Sequence, residues 1–218
     1  KQFEEAGAEA LELNFYAVPR DFEKSAFDIE QEQIDILKEV KKAVRIPVSV
    51  KLSPFYSNIL HFIKQIDQAG ADAIVIFNKL FEPDISTDDQ EHITPFNLSK
   101  KGEYRLSIRY SGILYDNINA DIIASQGIFD GEDTVKLILA GADAVQAVST
   151  FYMNKPEHMK KMLDDLQEWM KVKGYKSLDE FRGKLSRKNV KDYKIFKRAQ
   201  YVDLLMHADE IFKKYRMP

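Results

Sequence analysis

Gly70-Ala71-Asp72-Ala73 introduces a run of β-forming residues that continues from Ile74 to Phe77. The same pattern occurs twice more, as Gly7-Ala8-Glu9-Ala10 and as Gly141-Ala142-Asp143-Ala144. A helical pattern precedes the glycine in each copy, which predicts a helix that ends in a left-handed cap. The small residues that follow allow a tight turn into a strand. The pattern therefore predicts three copies of one helix–turn–strand unit.

Five strands are predicted in total, because two further strands lack the glycine signal. They span residues 11–14, 48–52, 74–77, 121–125 and 145–148. Amphipathic helical patterns lie between them, for example the apolar stripe of Ile59, Phe62, Ile63 and Ile66. Strands that alternate with helices indicate βαβ crossovers and a parallel sheet. The predicted fold class is α/β, either a (βα)8 TIM barrel or a complete flavodoxin-like sheet of five strands.

The start of the chain favours the barrel. Lys1 to Gly7 has the pattern of the last turns of a helix, and a barrel requires eight strands. We therefore expect residues 1–153 to carry strands four to eight, with about three strand–helix units before residue 1. We expect residues 154–218 to form a C-terminal helical extension that packs on the barrel, with a final helix from about Asp192 to Tyr215.

The composition excludes several classes of function. The 218 residues include no cysteine, which excludes disulfides and thiolate catalysis and predicts a reducing, cytoplasmic setting. No apolar run approaches the ~20 residues of a membrane span. The formal net charge is -3 with both signs evenly mixed. The basic stretch from Arg182 to Arg198 has aromatic residues at helical spacing, which indicates a solvated helix face. We expect neither a nucleic-acid partner nor a membrane partner.

Candidate site residues lie where strands end, because a TIM barrel carries its functional groups at the carboxyl ends of its strands. Lys51 lies within an apolar strand, where its charge requires an anionic or polar partner. The alternative is an edge-strand lysine that faces solvent. Asn14 and Asn78 each end an apolar strand with an amide that both donates and accepts, although either could equally be a turn residue.

Small residues follow the last two strands, at Ser125-Gln126-Gly127 and at Ser149-Thr150. Backbone N–H groups at such turns can hold a phosphate, and an ordinary turn with a helix cap explains the same residues. The polar stretch from Phe81 to Lys101 reads as a long loop and a candidate lid. The histidines have no metal-ligand spacing, so no metal site is predicted.

Taken in order, these segments resemble the dihydroorotate dehydrogenase superfamily, from residue 1 to about Leu185. The resemblance rests on five parts of the chain: Gly7 to Asn14, Pro47 to Pro54, the strand that ends in Asn78, the two closing strands, and Gly174 to Leu185. It implies a barrel that binds FMN. It also implies that Lys51 contacts the flavin ring and that Asn14 and Asn78 hydrogen-bond a pyrimidine-like or cyclic amide substrate.

The resemblance further implies that turns at Ser111-Gly112, Ser125-Gln126-Gly127 and Ser149-Thr150 cradle the flavin phosphate. Two positions depart from the pattern of the family. Where the family usually has a pair of glycines, this chain has Gln126-Gly127, and it has Val148 where a glycine usually stands.

A third departure concerns the catalytic base. The family places a cysteine or serine base shortly after the asparagine at Asn14, whereas this chain reads Phe15-Tyr16-Ala17-Val18-Pro19. Ala17 occupies the position of the base, and Tyr16 is its only ionisable neighbour. Loss of a general base costs typically ~10²–10⁴-fold in rate. The resemblance thus implies an FMN-dependent dehydrogenase with Lys51 and Tyr16 as catalytic candidates, and a substrate other than dihydroorotate is at least as well supported.

Two other functions remain open from the sequence. One is a phosphate-binding TIM-barrel lyase or isomerase, in which Lys51 would form a Schiff base. The other is a catalytically silent barrel that acts as a binding protein. The expected partners are a small-molecule substrate and either a second copy of the chain, as a homodimer, or the segment expected before residue 1.

Overall fold

The structure is a computed structural model, which describes residues 1–196 together with residues 202, 205 and 206. In chain order its helices and strands are α1 (Gln2–Glu5), β1 (Leu11–Phe15), α2 (Ala26–Ala43), β2 (Val48–Leu52), α3 (Ile59–Gln68), β3 (Ala73–Ile76), β4 (Asp84–Ser86), β5 (Glu91–Ile93), α4 (Arg105–Leu114), β6 (Asp121–Ser125), α5 (Gly131–Ala140), β7 (Ala144–Gln146), α6 (Ser149–Met153) and α7 (His158–Lys173). Short 3₁₀ turns follow at Leu178–Glu180 and Tyr193–Phe196. The final helix expected from Asp192 lies mostly outside the described residues.

Five parallel strands form one sheet in the order β1-β2-β3-β6-β7. Each strand pairs with the next predicted strand along the chain, with Asn14 opposite Lys51 and Lys51 opposite Val75. A flavodoxin-like sheet instead has the order 2-1-3-4-5, because its chain reverses direction after the first strand. The flavodoxin-like alternative is therefore wrong. A strand order that follows the chain is that of a barrel wall.

The three glycines of the repeated pattern all adopt positive φ, as a left-handed cap requires. Their φ angles are 94°, 97° and 125° at Gly7, Gly70 and Gly141. The structure thus confirms that each copy of the pattern turns the chain from a helix into a strand.

The aspartate of the repeat fixes the start of a neighbouring strand. Asp72 accepts a hydrogen bond from the backbone N–H of Val48 at 2.6 Å, and Asp143 accepts one from the backbone N–H of Ile122 at 2.8 Å. The backbone N–H of Asp72 also donates to the carbonyl of Val48 at 2.9 Å. The amino-terminal ends of the strands are thereby joined by both side-chain and backbone hydrogen bonds.

The two faces of the sheet have different chemistry because successive side chains of a strand alternate between them. One face packs against the helices, where Val50, Leu52 and Ile74 are fully buried together with Phe62 and Ile66 of α3. The opposite, concave face carries polar side chains at the positions between these residues: Glu12, Asn14, Ser49, Lys51 and Gln146. The core therefore lies between sheet and helices, and the polar groups line the barrel interior.

The C-terminal part of the described chain packs closely on the sheet's helices. α7 runs along α5, and a Cβ atom added to Gly131 would lie 2.5 Å from Cβ of Asp165. The ring of Phe196 covers Gly112 of α4 in the same way, 2.6 Å from where a Cβ would be. A domain boundary at residues 153 and 154 stays a prediction. Within the described part of the chain, no helix has the length and apolar character needed to cross a bilayer.

The stretch expected to be a loop from Phe81 to Lys101 contains a β-hairpin instead. β4 and β5 pair antiparallel, with Asp84 opposite Ile93. The hairpin is exposed almost throughout. Because neither of its faces is buried, its sequence lacks the alternation of apolar and polar residues from which strands are predicted.

Candidate active site

A cleft of about 260 Å³ lies at the carboxyl ends of the strands and brings together most of the predicted site residues. Six of the eleven predicted residues line it: Lys51, Asn78, Ser125, Gln126, Gly127 and Ser149. The segment after β3 supplies much of the remaining wall, and Tyr152 of α6 completes it. A cleft formed by several loops at this end of a parallel sheet is the expected location of an active site.

Lys51 lies at the centre of a closed set of polar contacts. Its Nζ atom donates to Oε1 of Gln146 at 3.0 Å and lies 3.5 Å from Oε1 of Glu12. The Nε2 atom of Gln146 in turn donates to Oε2 of Glu12 at 2.6 Å. Because β2 lies between β1 and β3, the alternative of an edge-strand lysine facing solvent is wrong.

The sequence analysis missed Glu12 and Gln146. Their signal was present, since each is a polar residue that interrupts an apolar strand in the same way as Lys51. Alternation of this kind places a side chain on the concave face of the sheet.

Three amide side chains join the ends of three strands. Nδ2 of Asn78 donates to Oδ1 of Asn14 at 2.6 Å, and Nε2 of Gln126 donates to the carbonyl oxygen of Asn78 at 2.5 Å. The backbone N–H of Asn78 donates to the carbonyl of Leu52 at 2.7 Å. Asn14 and Asn78 therefore lie side by side, with their remaining amide groups available for a ligand.

The turn after β6 is unusually tight. Gln126 and Gly127 both have positive φ, at 75° and 63°. A Cβ atom on Gly127 would lie 2.5 Å from the carbonyl oxygen of Lys100 and 2.7 Å from the backbone nitrogen of Glu103. The segment before α4 thus presses directly on this turn, which only glycine permits at position 127.

Charged groups hold the same turn from both sides. Lys79, which lines the cleft, pairs with both carboxylate oxygens of Glu103 at 2.8 and 3.0 Å. Lys101 donates to Asp130, the residue that caps α5. Burial by itself raises the pKa of Asp130, but the hydrogen bonds from Lys101 and from the Asp133 backbone, together with the nearby lysine charges, outweigh it, so the pKa lies below its ordinary value.

The remaining predicted phosphate-binding residues are divided between the cleft and the core. The hydroxyl of Ser149 accepts a hydrogen bond from the backbone N–H of Ser99 at 2.9 Å at the cleft. Thr150 is fully buried, and its hydroxyl donates to the carbonyl of Phe129 at 3.4 Å.

The turn expected at Ser111-Gly112 is wrong, because both residues lie inside α4 and are buried there. A serine–glycine pair is a turn signal only when no helix continues through it. Here α4 runs from Arg105 to Leu114, and burial against its neighbours outweighs the helix-breaking tendency of Gly112.

Tyr16 and Ala17 line a second cleft of about 510 Å³ between the end of β1 and α2. Asn14 also lines this cleft, so the hydrogen bond from Asn78 joins the two clefts. The Tyr16 hydroxyl donates to the carbonyl of Phe81 at 3.5 Å, and the side chain is half-exposed. No thiol or aliphatic hydroxyl occurs from Asn14 to Asp21, so the absence of the family's cysteine or serine base stays an observation on the sequence.

An aromatic cluster stands at the mouth of the first cleft. The rings of Phe81 and Phe96 lie 6.2 Å apart, and those of Phe96 and Tyr152 lie 5.6 Å apart, measured between centroids. All three side chains are more than half exposed. The sequence analysis did not single them out, since Tyr152 lies far from the other two in the chain.

Comparison with known proteins identifies the family. A sequence profile of the family described as dihydroorotate dehydrogenase matches residues 5–170. The chain belongs to this family. It is 34% identical over 152 residues to the catalytic subunit of dihydroorotate dehydrogenase B (NAD(+)) from Methanocaldococcus jannaschii, covering 68% of this chain and 49% of that protein.

Two further comparisons extend over more of the chain. A putative dihydroorotate dehydrogenase A (fumarate) from Aeropyrum pernix is 27% identical over 186 residues, which is 83% of this chain and 60% of that protein. The crystal structure of the Eimeria tenella dihydroorotate dehydrogenase in complex with ferulenol superposes with a TM-score of 0.58 at 19% identity, covering 81% of this chain and 54% of that chain.

These matches confirm the predicted fold class, a TIM barrel of the dihydroorotate dehydrogenase family. The chain spans about half the length of the curated relatives it matches. In the described residues, no group of three or more histidine, cysteine, aspartate or glutamate side chains could hold a metal ion.

Proposed function

We propose that the protein is an FMN-dependent oxidoreductase that transfers hydride between a pyrimidine-like or cyclic amide substrate and the flavin. The observation that carries this proposal is Lys51, whose ammonium group stands at the cleft beside the paired amides of Asn14 and Asn78. The family of the chain supports the proposal, since the relatives it matches are named dihydroorotate dehydrogenases.

The residues of the cleft fit FMN chemically. Its wall combines cationic groups, Lys51 and Lys79, with the hydroxyls of Ser125 and Ser149 and the amide of Gln126. Such donors suit a phosphorylated polyhydroxyl chain, and the exposed rings at the mouth suit a planar ring system. Thr150, Ser111 and Gly112 are not part of this set, because they are buried away from the cleft.

FMN when bound supplies the hydride acceptor of the reaction. Lys51 would stabilise negative charge on a flavin bound in the cleft, since an ammonium group in a partly desolvated cleft interacts strongly with a developing anion. Asn14 and Asn78 orient the substrate, because two fixed amides can both donate to and accept from the N–H and C=O groups of a cyclic amide. The loop with the hairpin β4–β5 contributes Phe81 and Phe96 to the mouth of the cleft, where a bound ligand could pack against their rings.

Ala17 sets the limit on the substrate. At the position where the family carries its base, the chain offers a methyl group, and the Tyr16 hydroxyl is directed to the carbonyl of Phe81. A substrate whose oxidation needs proton removal by the protein would react slowly. We therefore propose a ring with an activated double bond, in preference to dihydroorotate: one carbon of that bond would accept hydride from the reduced flavin and the other would accept a proton from water, so no protein base would be needed.

The lyase alternative is less well supported by the geometry. A Schiff-base lysine must present a free amine to a carbonyl carbon. Lys51 instead points to Oε1 of Gln146 and to the carboxylate of Glu12, two acceptors that interact with its protons.

An absorbance spectrum of the protein expressed from its complete gene, followed by acid release of bound cofactor, tests the proposal. We expect flavin bands and released FMN. A colourless protein that takes up no added FMN contradicts the proposal and favours the silent binding protein, whereas borohydride trapping of a carbonyl substrate on Lys51 favours the lyase.

The partners and the location of the protein stay proposals as well. We propose a homodimer or association with a segment that completes the barrel, because β1 and β7 are the edges of the described sheet and unpaired strand edges favour association. Sedimentation analysis of the purified protein tests the first. Cell fractionation tests the cytoplasmic location predicted from the absence of cysteine.

A further inference from the structure

Glu12 carries a negative charge inside the barrel that the proposed chemistry does not use. It lies on β1, one interior position before Asn14, and its side chain is 32% exposed. A carboxylate on the concave face has a desolvation cost that a compensating partner must offset. The partner is Lys51, whose side chain is only 19% exposed.

Gln146 closes the contact between these two charges into a ring. Its amide accepts from Lys51 at 3.0 Å with the oxygen and donates to Glu12 at 2.6 Å with the nitrogen. The direct contact of Lys51 Nζ to Glu12 Oε1 is 3.5 Å. Both the oxygen and the nitrogen of the Gln146 amide therefore form a hydrogen bond within the ring. The ammonium group of Lys51 is held by Gln146 on one side and by Glu12 on the other.

The ring also reaches across the sheet. Glu12 lies on the edge strand β1, Lys51 on β2 and Gln146 on the opposite edge strand β7. Lys51 and Gln146 line the first cleft, and they also line a larger, more apolar cavity of about 610 Å³. Glu12 lines this second cavity as well. The charge pair thus lies between the two cavities, next to the cleft that would hold the flavin.

We propose that Glu12 is a positioning residue for Lys51. Together with Gln146 it holds the ammonium group at the cleft, and it offsets part of the positive charge that Lys51 presents to a bound flavin. The second statement rests on the proposed function, and the first does not. Loss of the carboxylate leaves Lys51 with its amide partner alone and raises the positive potential at the flavin.

The test of the positioning role uses protein stripped of any flavin. Acetylation of Lys51 is followed by mass spectrometry in the wild type, in Glu12→Gln and in Glu9→Gln, a matched control at an exposed glutamate just before β1. We expect Lys51 to react about threefold faster or more in Glu12→Gln, since its charged partner is lost, and to react at the wild-type rate in Glu9→Gln. Equal rates in Glu12→Gln and wild type overturn the proposal.

A second variant protects this test against a failure to fold. Glu12→Asp keeps the charge but withdraws the carboxylate by one methylene, so it cannot hold Lys51 and Gln146 at their present distances. We expect faster acetylation of Lys51 here too. Unchanged acetylation in Glu12→Asp also overturns the proposal.

The electrostatic role is measured on the protein loaded with FMN. At a fixed potential we expect the ratio of reduced to oxidised flavin to rise about tenfold in Glu12→Gln, which is about 30 mV for a two-electron couple. An unchanged midpoint potential overturns the electrostatic part. If the wild type binds no FMN, the proposed function fails, while the acetylation experiment still decides whether Glu12 positions Lys51.

Discussion

Gln126 allows backbone strain at the cleft to be separated from hydrogen bonding. Its φ of 75° lies in the left-handed region, which costs a non-glycine residue roughly 1–2 kcal/mol. Its side chain compensates by donating to the carbonyl of Asn78 at 2.5 Å, a bond that contributes about 0.5–1.5 kcal/mol. The two effects have opposite signs and similar size, so single substitutions at this position distinguish them.

Glycine and alanine at position 126 are expected to differ in the free energy of unfolding. Gln126→Ala keeps the strain and loses the bond, so it loses about 0.5–1.5 kcal/mol. Gln126→Gly also loses the bond. The greater freedom of glycine in the unfolded state lowers the free energy of unfolding by about another 0.4–1 kcal/mol, but relief of the backbone strain raises it. The glycine variant should therefore be close to wild type and more stable than the alanine variant by about 0.5–1 kcal/mol.

Urea denaturation measures this difference, and Gln90 provides a matched control. For a slope of about 1–3 kcal/mol/M, the midpoints of the two variants should differ by roughly 0.2–1 M. Gln90 has a φ of 57° in the exposed hairpin, and its side chain has no hydrogen-bond partner among the described residues. Gln90→Gly should thus equal or exceed wild type in stability. If Gln126→Ala is as stable as Gln126→Gly, the turn is unstrained and the reasoning is refuted.

Three further predictions concern the cleft and the sheet. Gly127→Ala should lower the free energy of unfolding by at least about 2 kcal/mol in thermal denaturation, because its Cβ would lie 2.5 Å from a carbonyl oxygen. The control Gly102→Ala should lose less stability, since a Cβ there has nothing within 4 Å. Equal losses in the two variants would contradict the packing argument. Ala17→Ser should raise dihydroorotate oxidation, followed by dye reduction, by about 10²-fold or more; an unchanged rate shows that position 17 does not face the substrate. Burial by itself raises the pKa of Asp72. Hydrogen bonds from Lys41 and the Val48 N–H, together with the charge of Lys41, lower it by a larger amount, so the pKa lies below its ordinary value. The stability that Asp72 contributes over Asp72→Asn should be present above about pH 4 and decline as the pH falls through the folded-state pKa. Denaturation curves in which the difference does not shrink as the pH falls below about 4 would contradict this.

The fold was accessible from the sequence because one pattern encodes two local events. A glycine that ends a helix and an apolar run that starts a strand occur together three times, and the strand bounds were predicted to within two residues. The order of the strands was left open by the same pattern, between that of a barrel, which the start of the chain favoured, and that of a flavodoxin-like sheet. It depends on which edges pair, and that is decided by the packing of helices over the whole sheet.

The site was predictable only in part, for a related reason. Lys51, Asn14 and Asn78 were found because polar residues at strand ends are conspicuous in apolar runs. Glu12 and Gln146 give the same signal but were passed over, since neither is chemically unusual until it is placed beside Lys51. Ser111-Gly112 gave a turn signal that helix packing overrides, and the exposed hairpin gave none.

The hydrogen bonds of Asp72 and Asp143 have a consequence for how this protein could diverge from its relatives. They fix strand register at the amino-terminal end of the sheet, on the side away from the clefts. Register set there does not depend on any side chain at the carboxyl end. Substitutions at the carboxyl end, at Ala17 or Gln126 for example, therefore leave the hydrogen bonds that set the register in place. The aspartates of the repeat thus fix the register at one end of the sheet, and the loops at the other end carry the residues of the clefts.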